Sequence, residues 1–118
     1  MRFVVLVKAT AQSETGALPS REMLEKMGAF NDELLKDGIM LDGAGLHASS
    51  QGARLRFEGG SVTVMEGPFS QTSELVAGFW IVQGPSKDAI VERFKRAPFD
   101  GGQVIEIRPM LEAEDFDE

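Results

Sequence analysis

The sequence contains no cysteine and no tyrosine, and it has a single histidine, His47. Without cysteine the chain cannot form disulfides, use a thiolate nucleophile or hold zinc through sulfur. One histidine excludes metal sites that need two or more, such as an HExxH pair or a facial triad. We therefore expect no metal and no cofactor, and His47 is the one imidazole that can carry acid–base chemistry.

Basic residues and long apolar runs are also scarce. Lysine and arginine number 12 against 19 aspartates and glutamates, which gives a net charge of −7. This acidic excess argues against nucleic acid and anionic membrane surfaces as partners. No apolar run approaches the ~20 residues of a membrane span, and the run at residues 3–7 is too short for a signal peptide. The sequence therefore predicts a cytoplasmic protein.

What is present is ordinary for a globular protein. The 118 residues include 42% hydrophobic and 26% charged side chains, which suits one domain with one core. We predict a single domain over residues 1–118, in which residues 112–118 form an acidic tail that frays.

The first third of the chain has the pattern of a β-α-β unit. Arg2–Lys8 is almost wholly apolar and β-branched, as in a central strand buried on both faces. Ser20 and Gly38 have the positions of a helix start and stop. Between them the apolar residues recur at helical spacing, which predicts one buried stripe: Met23, Leu24, Met27, Phe30, Leu34 and Leu35. A short strand is predicted at residues 39–41, ended by the glycine-rich segment 42–45.

The remainder predicts a β-hairpin and then a second β-α-β unit. Residues 53–57 alternate so that Arg54 and Arg56 share one face, and Gly59–Gly60 has the composition of a two-residue turn. A long apolar strand is predicted at residues 75–82, in which Gly78 indicates a bulge or a close backbone approach. A helix capped by Ser86 follows, then a turn at residues 100–102 and a last strand at residues 104–110.

This element order predicts an α+β fold, the ferredoxin-like βαββαβ arrangement with an inserted β-hairpin. Helices cover one face of such a sheet. Because the strands are apolar on both faces, we expect the second face to meet another copy of the chain in a homodimer packed sheet to sheet.

Three residues are candidates for catalysis. His47 lies in a glycine-flanked loop and can act as a general acid or base; alternatively, it is an exposed loop residue with no role. Glu66 precedes Gly67-Pro68, where the proline fixes the turn, and its carboxylate can accept a proton or instead bond local backbone amides. Glu74 stands before the long apolar strand, where burial would raise its pKa.

Five further residues are candidates for ligand binding. Arg54, Arg56 and Arg108 lie on alternating strands and could clamp an anion; the alternative is cross-strand pairing with Glu58 or Glu106. The aromatic candidates are Phe69 and Trp80, and for Trp80 the alternative is a place in the core.

Several segments together resemble the YciI-related (DGPF-domain) family of small bacterial proteins. The resemblance is carried by segments spread over nearly the whole chain: MRFVVLVK at residues 1–8, LLKDG at 34–38, GLHASSQGARLR at 45–56, EGPF at 66–69 with Glu74 and GFW at 78–80, and IEIRP at 105–109 with the acidic tail. The motif that names the family begins with aspartate, whereas this chain has Glu66. Ala48 stands where similar chains often have proline.

The resemblance implies a dimeric α/β barrel of ferredoxin-like subunits. Relatives include proteins proposed to use a His–Asp pair and a dehydrochlorinase of chlorinated aromatic compounds, and others are fused to or encoded with sigma factors. That His–Asp pair belongs to a motif without a counterpart in this chain, so the resemblance assigns no catalytic residue to it.

Two functions remain open. One is a small cofactor-free lyase or hydrolase, with His47 as acid–base group, Glu66 as its partner or a substrate anchor, and Arg54 or Arg56 as an anion clamp. The other is a non-catalytic dimer that binds a small ligand or docks on a regulator. The surroundings of His47 discriminate between them.

Overall fold

The computed structural model describes residues 1–99 and 101–117 and shows a mixed α+β protein with two antiparallel sheets. Its strands are β1 (Arg2–Lys8), β2 (Met40–Gly45), β3 (Ala53–Glu58), β4 (Ser61–Glu66), β5 (Val76–Gln83) and β6 (Ile105–Pro109). Its helices are α1 (Ala11–Glu14), α2 (Arg21–Lys36) and α3 (Lys87–Phe94). None of the helices in the described part of the chain has the length and apolar character needed to cross a bilayer.

The main sheet has the strand order β2-β5-β1-β6, and every neighbouring pair is antiparallel. The predicted central strand is confirmed, because β1 spans Arg2–Lys8 and lies between β5 and β6. The β3–β4 hairpin forms the second, two-stranded sheet. The predicted succession of a β-α-β unit, a hairpin and a second β-α-β unit is thus present.

Helix α2 begins and ends where the sequence predicts. The Ser20 hydroxyl accepts a hydrogen bond of 3.1 Å from the Met23 amide, and Gly38 has a φ of 70°, as a residue after a helix end often does. The buried stripe is narrower than predicted, since Leu24 is 57% exposed and Leu35 is 56% exposed.

The core fills the space between the helices and one face of the main sheet: it comprises Phe3, Val5, Phe30, Leu34, Trp80, Val82, Ile90 and Phe94. Trp80 meets Phe30 and Phe94 edge to face, with ring centroids 6.1 Å and 5.1 Å away. Side chains alternate along a strand, so the residues next to these core residues in β1 and β5 point to the opposite face of the sheet, which no helix of the described residues covers. The apolar ones on the two central strands are partly exposed: Val4, Leu6, Phe79 and Ile81.

The predicted end of β2 is wrong. Strand β2 continues to Gly45, although the sequence predicts that the glycine-rich segment ends it. Glycine avoids crowding there, because a Cβ on Gly43 would lie 3.1 Å from the Phe79 carbonyl oxygen. The polar segment before α2 contains one helical turn, α1, capped by the Thr10 side chain.

The other boundaries shift by small amounts. Strands β5 and β6 begin one residue later than predicted, and α3 ends at Phe94, before Pro98. The Gly59–Gly60 turn is confirmed, with φ of 54° and 82°. In the turn predicted at residues 100–102, Asp100 lies outside the described residues.

The acidic tail is more ordered than predicted. Residues Ala113–Phe116 form a 3-10 turn, and Glu112 accepts two hydrogen bonds from the Arg2 guanidinium at 3.0 and 3.1 Å. These hydrogen bonds lower the pKa of Glu112 and raise the pKa of Arg2. Glu118, the last residue of the predicted tail, lies outside the described residues.

Candidate functional site

A pocket of about 550 Å³ lies between the first half of α2, the segment before it and the β2–β5 side of the sheet. Its apolar wall is mostly methionine and aromatic: Leu18, Met23, Met27, Met40, Trp80 and Phe99. Gly43 and Gly45 form the β2 side without side chains, which leaves the sheet surface open there. This volume suits a compact organic molecule.

Few polar groups line the pocket, and the only lining residue with a full charge among the described ones is Lys8. Its ammonium lies 3.6 Å from Glu106, and its side chain is 24% exposed. The other polar lining comes from amides and hydroxyls: Thr10, Gln12, Ser13, Ser20, Asn31 and Gln103. The Lys8 ammonium contacts Glu106, which is paired with Leu6 and so lies towards the helix-free face. The site can therefore orient a ligand through neutral hydrogen-bonding groups.

Trp80 and Asn31 join the pocket wall to the core. The indole nitrogen of Trp80 donates a 2.8 Å hydrogen bond to Asn31 Oδ1, and Trp80 is only 5% exposed. Since an indole can only donate, Asn31 presents its oxygen to Trp80 and keeps the amide NH₂ for another acceptor. Trp80 is therefore a core residue and a pocket residue at once.

The three predicted catalytic residues lie outside this pocket lining. His47, Glu66 and Glu74 are all exposed, and no hydrogen bond joins any two of them within the described residues. His47 follows Gly45 by two residues, and the Leu46 amide donates a 2.8 Å hydrogen bond to the Ala77 carbonyl oxygen. The backbone that leads to His47 thus starts at the β2 edge of the pocket.

A junction near His47 brings three separate segments together. Ser49 donates to both carboxylate oxygens of Glu14, through its hydroxyl and through its amide at 2.9 Å. The Phe69 amide in turn donates to the Ser49 hydroxyl at 3.0 Å. The hydrogen bonds from the hydroxyl and then the amide of Ser49 hold the pKa of Glu14 below its ordinary value.

The Glu66–Phe69 turn fits closely against this junction. A Cβ on Gly67 would lie 1.7 Å from the Ser49 carbonyl oxygen, and the Gly67 amide donates a 3.0 Å hydrogen bond to the Gly52 carbonyl. The His47 loop and the Glu66 turn are therefore neighbours, although no hydrogen bond joins their two candidate side chains within the described residues.

The predicted binding residues divide among different surroundings. The guanidinium carbon of Arg54 lies 3.9 Å above the centroid of the Phe69 ring, a cation–π contact. Arg108 contacts Glu106 at 3.2 Å, but the two residues lie on the same strand, β6, so this is not the cross-strand pair given as its alternative. Arg56 is exposed on the hairpin.

Glu74 and Trp80 also lie in different surroundings. In the amide orientation that satisfies both side chains, Gln71 donates to the two Glu74 oxygens at 3.0 and 2.7 Å. Of the eight candidates, Trp80 is the one that lines the pocket.

Sequence reasoning missed most of the polar pocket groups and the Glu14–Ser49 contact. Lys8, Asn31 and Gln103 come from distant parts of the chain and belong to no motif, so only tertiary structure groups them. One usable signal existed, because Met23 and Met27 lie on the predicted apolar stripe and methionine suits adaptable pockets.

Together these features define an α+β protein with a lined pocket between a helix and an antiparallel sheet. The chain belongs to the YCII-related domain family, whose match covers residues 1–114, and the family resemblance seen in the sequence is confirmed.

One similar solved structure is 5-chloro-2-hydroxyhydroquinone dehydrochlorinase (TftG) from Burkholderia phenoliruptrix AC1100, in complex with 2,5-dihydroxybenzoquinone. It shares 17% identity, with 90% of this chain and 91% of that chain covered, and the TM-score is 0.40. No curated protein matches the chain.

Proposed function

We propose that this chain is the single-domain protomer of a homodimer that binds a compact, largely apolar organic molecule in the pocket between α2 and the sheet. The observation that carries the proposal is the pocket itself, of about 550 Å³, with methionine and aromatic side chains in its wall and several neutral polar groups. Pockets of this size, apolar with a few convergent polar groups, are the usual form of small-molecule sites.

The lining also points to the kind of ligand. Trp80, Phe99 and the methionines favour a flat or aromatic body through stacking and sulfur contacts. The Asn31 amide can donate to an oxygen of the ligand. The best-supported class is therefore a small aromatic compound that carries an oxygen able to accept a hydrogen bond.

A second candidate function is the cofactor-free lyase or hydrolase, and the observation in its support is that the His47 loop starts at the edge of the pocket. The imidazole is two residues beyond Gly45, a lining residue, and its loop packs on the Glu66 turn. A bound ligand that extends past Gly45 would approach His47, which would then act as general acid or base with Glu66 as its partner. On this alternative the pocket holds the substrate and the loop supplies the chemistry.

The dimer belongs to the same proposal. Val4, Leu6, Phe79 and Ile81 form a partly exposed apolar surface on the helix-free face of the sheet. Packing that face on a second copy of the ferredoxin-like protomer would make a dimeric α/β barrel and cover it.

The experiment uses Trp80, the single tryptophan, as its reporter. Aromatic acids, phenols and hydroxyquinones are titrated while tryptophan emission and thermal stability are followed. We expect members of this class to change the emission saturably and to raise the melting temperature, because ligand binding favours the folded state. Product analysis by mass spectrometry in the same mixtures, with His47→Gln as the variant, tests the catalytic alternative.

Two glycines supply a matched pair of variants. Gly45 lines the pocket, and a Cβ there meets nothing within 4 Å, so Gly45→Leu should fill the pocket without a backbone clash. Gly28 also has open space but lies outside the lining, so Gly28→Leu is the control. We expect Gly45→Leu to weaken binding by about tenfold or more. Equal binding by Gly45→Leu and Gly28→Leu would rule out this pocket as the site.

A further inference from the structure

The β3–β4 hairpin has one polar and one apolar face. The pairs Leu55↔Val64 and Phe57↔Val62 lie side by side on one face of the ribbon. The other face carries polar side chains and Met65: Arg54, Arg56, Glu58, Ser61 and Thr63. Such strict alternation is typical of a strand pair that buries one face.

In the protomer that apolar face is uncovered. Leu55 is 55% exposed, Phe57 72%, Val62 54% and Val64 58%. The hairpin forms a sheet of its own, apart from the four-stranded sheet. An isolated two-stranded hairpin is marginally stable in water, so another surface has to supply the missing contacts.

The hairpin is nevertheless held at its base. Gly67 fits against the Ser49 carbonyl, and Arg54 covers the Phe69 ring. The protomer is flat, with extents of 48 × 45 × 20 Å, and its radius of gyration is 16.4 Å. A compact chain of this length has a radius of gyration of about 13–14 Å. The ribbon therefore extends from the body in a set direction.

We propose that the hairpin is a dimerisation arm, whose apolar face packs on a second copy of this chain. The proposal rests on the homodimer proposed above and adds a second contact to it. A standard interface takes about 800 Å² from each partner, which is more than four large side chains supply. The hairpin face adds to the uncovered sheet face, and in a twofold dimer each contributing face is buried in both copies.

Charge also favours a second copy over a charged partner. The chain has a net charge of −7, so two copies repel each other over most of their surfaces. The four large side chains of the arm are uncharged, and Glu66 stands only at the base of this face. At this face two copies can meet without placing like charges opposite each other.

The test is sedimentation velocity on the full chain and on a paired variant, Phe57→Thr with Val62→Thr. Threonine keeps a β-branched side chain on each strand and removes the apolar surface. We expect the wild type to be dimeric at micromolar concentration. In the paired variant the dimer dissociation constant should rise by about a hundredfold or more, since both copies lose both side chains. Arg56→Thr, on the polar face of the same strand, should leave dimerisation unchanged.

Ligand-induced change of Trp80 emission in the paired variant shows whether the body and its pocket are intact, and it separates this inference from the ligand proposal. Hydrogen exchange of the wild-type hairpin gives a second measurement, in which protection of residues 53–58 and 61–66 should increase as dimer forms. A monomeric wild type would overturn both the arm and the dimer. Equal dimerisation by the wild type and the paired variant, or hairpin protection that is independent of concentration, would overturn the arm alone.

Discussion

At the scale of single residues, the Glu66–Phe69 turn is a steric fit before it is a chemical site. Gly67 lies so close to Ser49 that a Cβ would be 1.7 Å from its carbonyl oxygen and 2.6 Å from its carbonyl carbon. Both of those atoms are backbone, so a flexible side chain cannot move aside to make room. The glycine therefore fixes how the hairpin base meets the His47 loop.

Gly67→Ala should destabilise the protein strongly, because the added methyl group forces the two loops apart. We expect a loss of about 2 kcal/mol or more in the free energy of unfolding, as overpacking against a rigid neighbour causes. Urea denaturation followed by Trp80 emission measures it.

Gly52→Ala is the matched control, because a Cβ there would lie 3.5 Å from the same Ser49 oxygen, an ordinary contact. Its effect should stay within about 1 kcal/mol. Equal effects of the two substitutions would show that the close fit at Gly67 does not contribute to stability.

Individual site residues were predicted with uneven success, and the reason is sequence distance. Trp80 could be placed in a buried strand from local pattern alone. The contact between Glu14 and Ser49 joins residues 35 positions apart, and nothing local marks either of them. For His47 and Glu66 the sequence predicts a loop and a turn, but whether the two meet, and how each side chain is oriented, depends on backbone geometry that residue types do not reveal.

At the scale of elements, Glu14 is the link that ties α1 to the rest of the protomer. Its carboxylate accepts from the first residue of the Ser49–Gln51 3-10 turn, and that residue in turn accepts from the turn that holds Phe69. Three connecting segments are therefore positioned by one carboxylate and one hydroxyl. Since α1 and its flanking residues also line the pocket, this link helps to shape the ligand site.

The contribution of Glu14 to stability should depend on pH. Its pKa is lowered in the folded state, chiefly by the Ser49 hydroxyl and then by the Ser49 amide. The contribution is therefore fully present above the unfolded glutamate pKa of about 4.3 and is lost as the pH falls through the lower, folded value. Because the carboxylate is accessible to solvent, the effect should be modest.

The test is urea denaturation of the wild type and of Glu14→Gln. The free energy of unfolding is measured at neutral pH and in steps below the ordinary pKa of glutamate. The wild type should be the more stable at neutral pH, and the difference should shrink as the solution becomes acidic. Glu25→Gln, which removes a carboxylate from α2, controls for net charge. A difference that stays constant or grows on acidification would contradict the role given to Glu14.

Whole elements were more predictable than their ends. β1 matches its predicted range because its whole length is an apolar run. α2 matches because the spacing of its apolar residues, its Ser20 cap and the glycine after its end all indicate the same helix. The end of β2 was missed because glycines usually mark a turn, whereas in this sheet Gly43 and Gly45 let β2 run close to β5. That competition between local preference and tertiary packing cannot be resolved from residue types.

At the scale of the molecule, the protomer buries one face of its sheet and leaves the other apolar face partly exposed. The register Val4↔Ile81 and Leu6↔Phe79 places these four side chains side by side across the two central strands. Sequence reasoning anticipated this surface from strands that are apolar on both sides. The partner that covers it remains a prediction, since no pattern within one chain specifies a second one.

Ile81→Lys tests the sheet-face dimer directly. In a protomer the lysine can extend to solvent from a partly exposed position, so the fold and the Trp80 emission should be preserved. In a sheet-to-sheet dimer the same charge would be buried without a partner, and the dissociation constant should rise by about a hundredfold or more. Thr63→Lys adds the same charge on the exposed polar face of the hairpin and should leave the dimer intact when both are compared by sedimentation velocity. If Ile81→Lys sediments as a dimer as stable as the wild type, the helix-free face is not the interface, and any dimer must form through another surface.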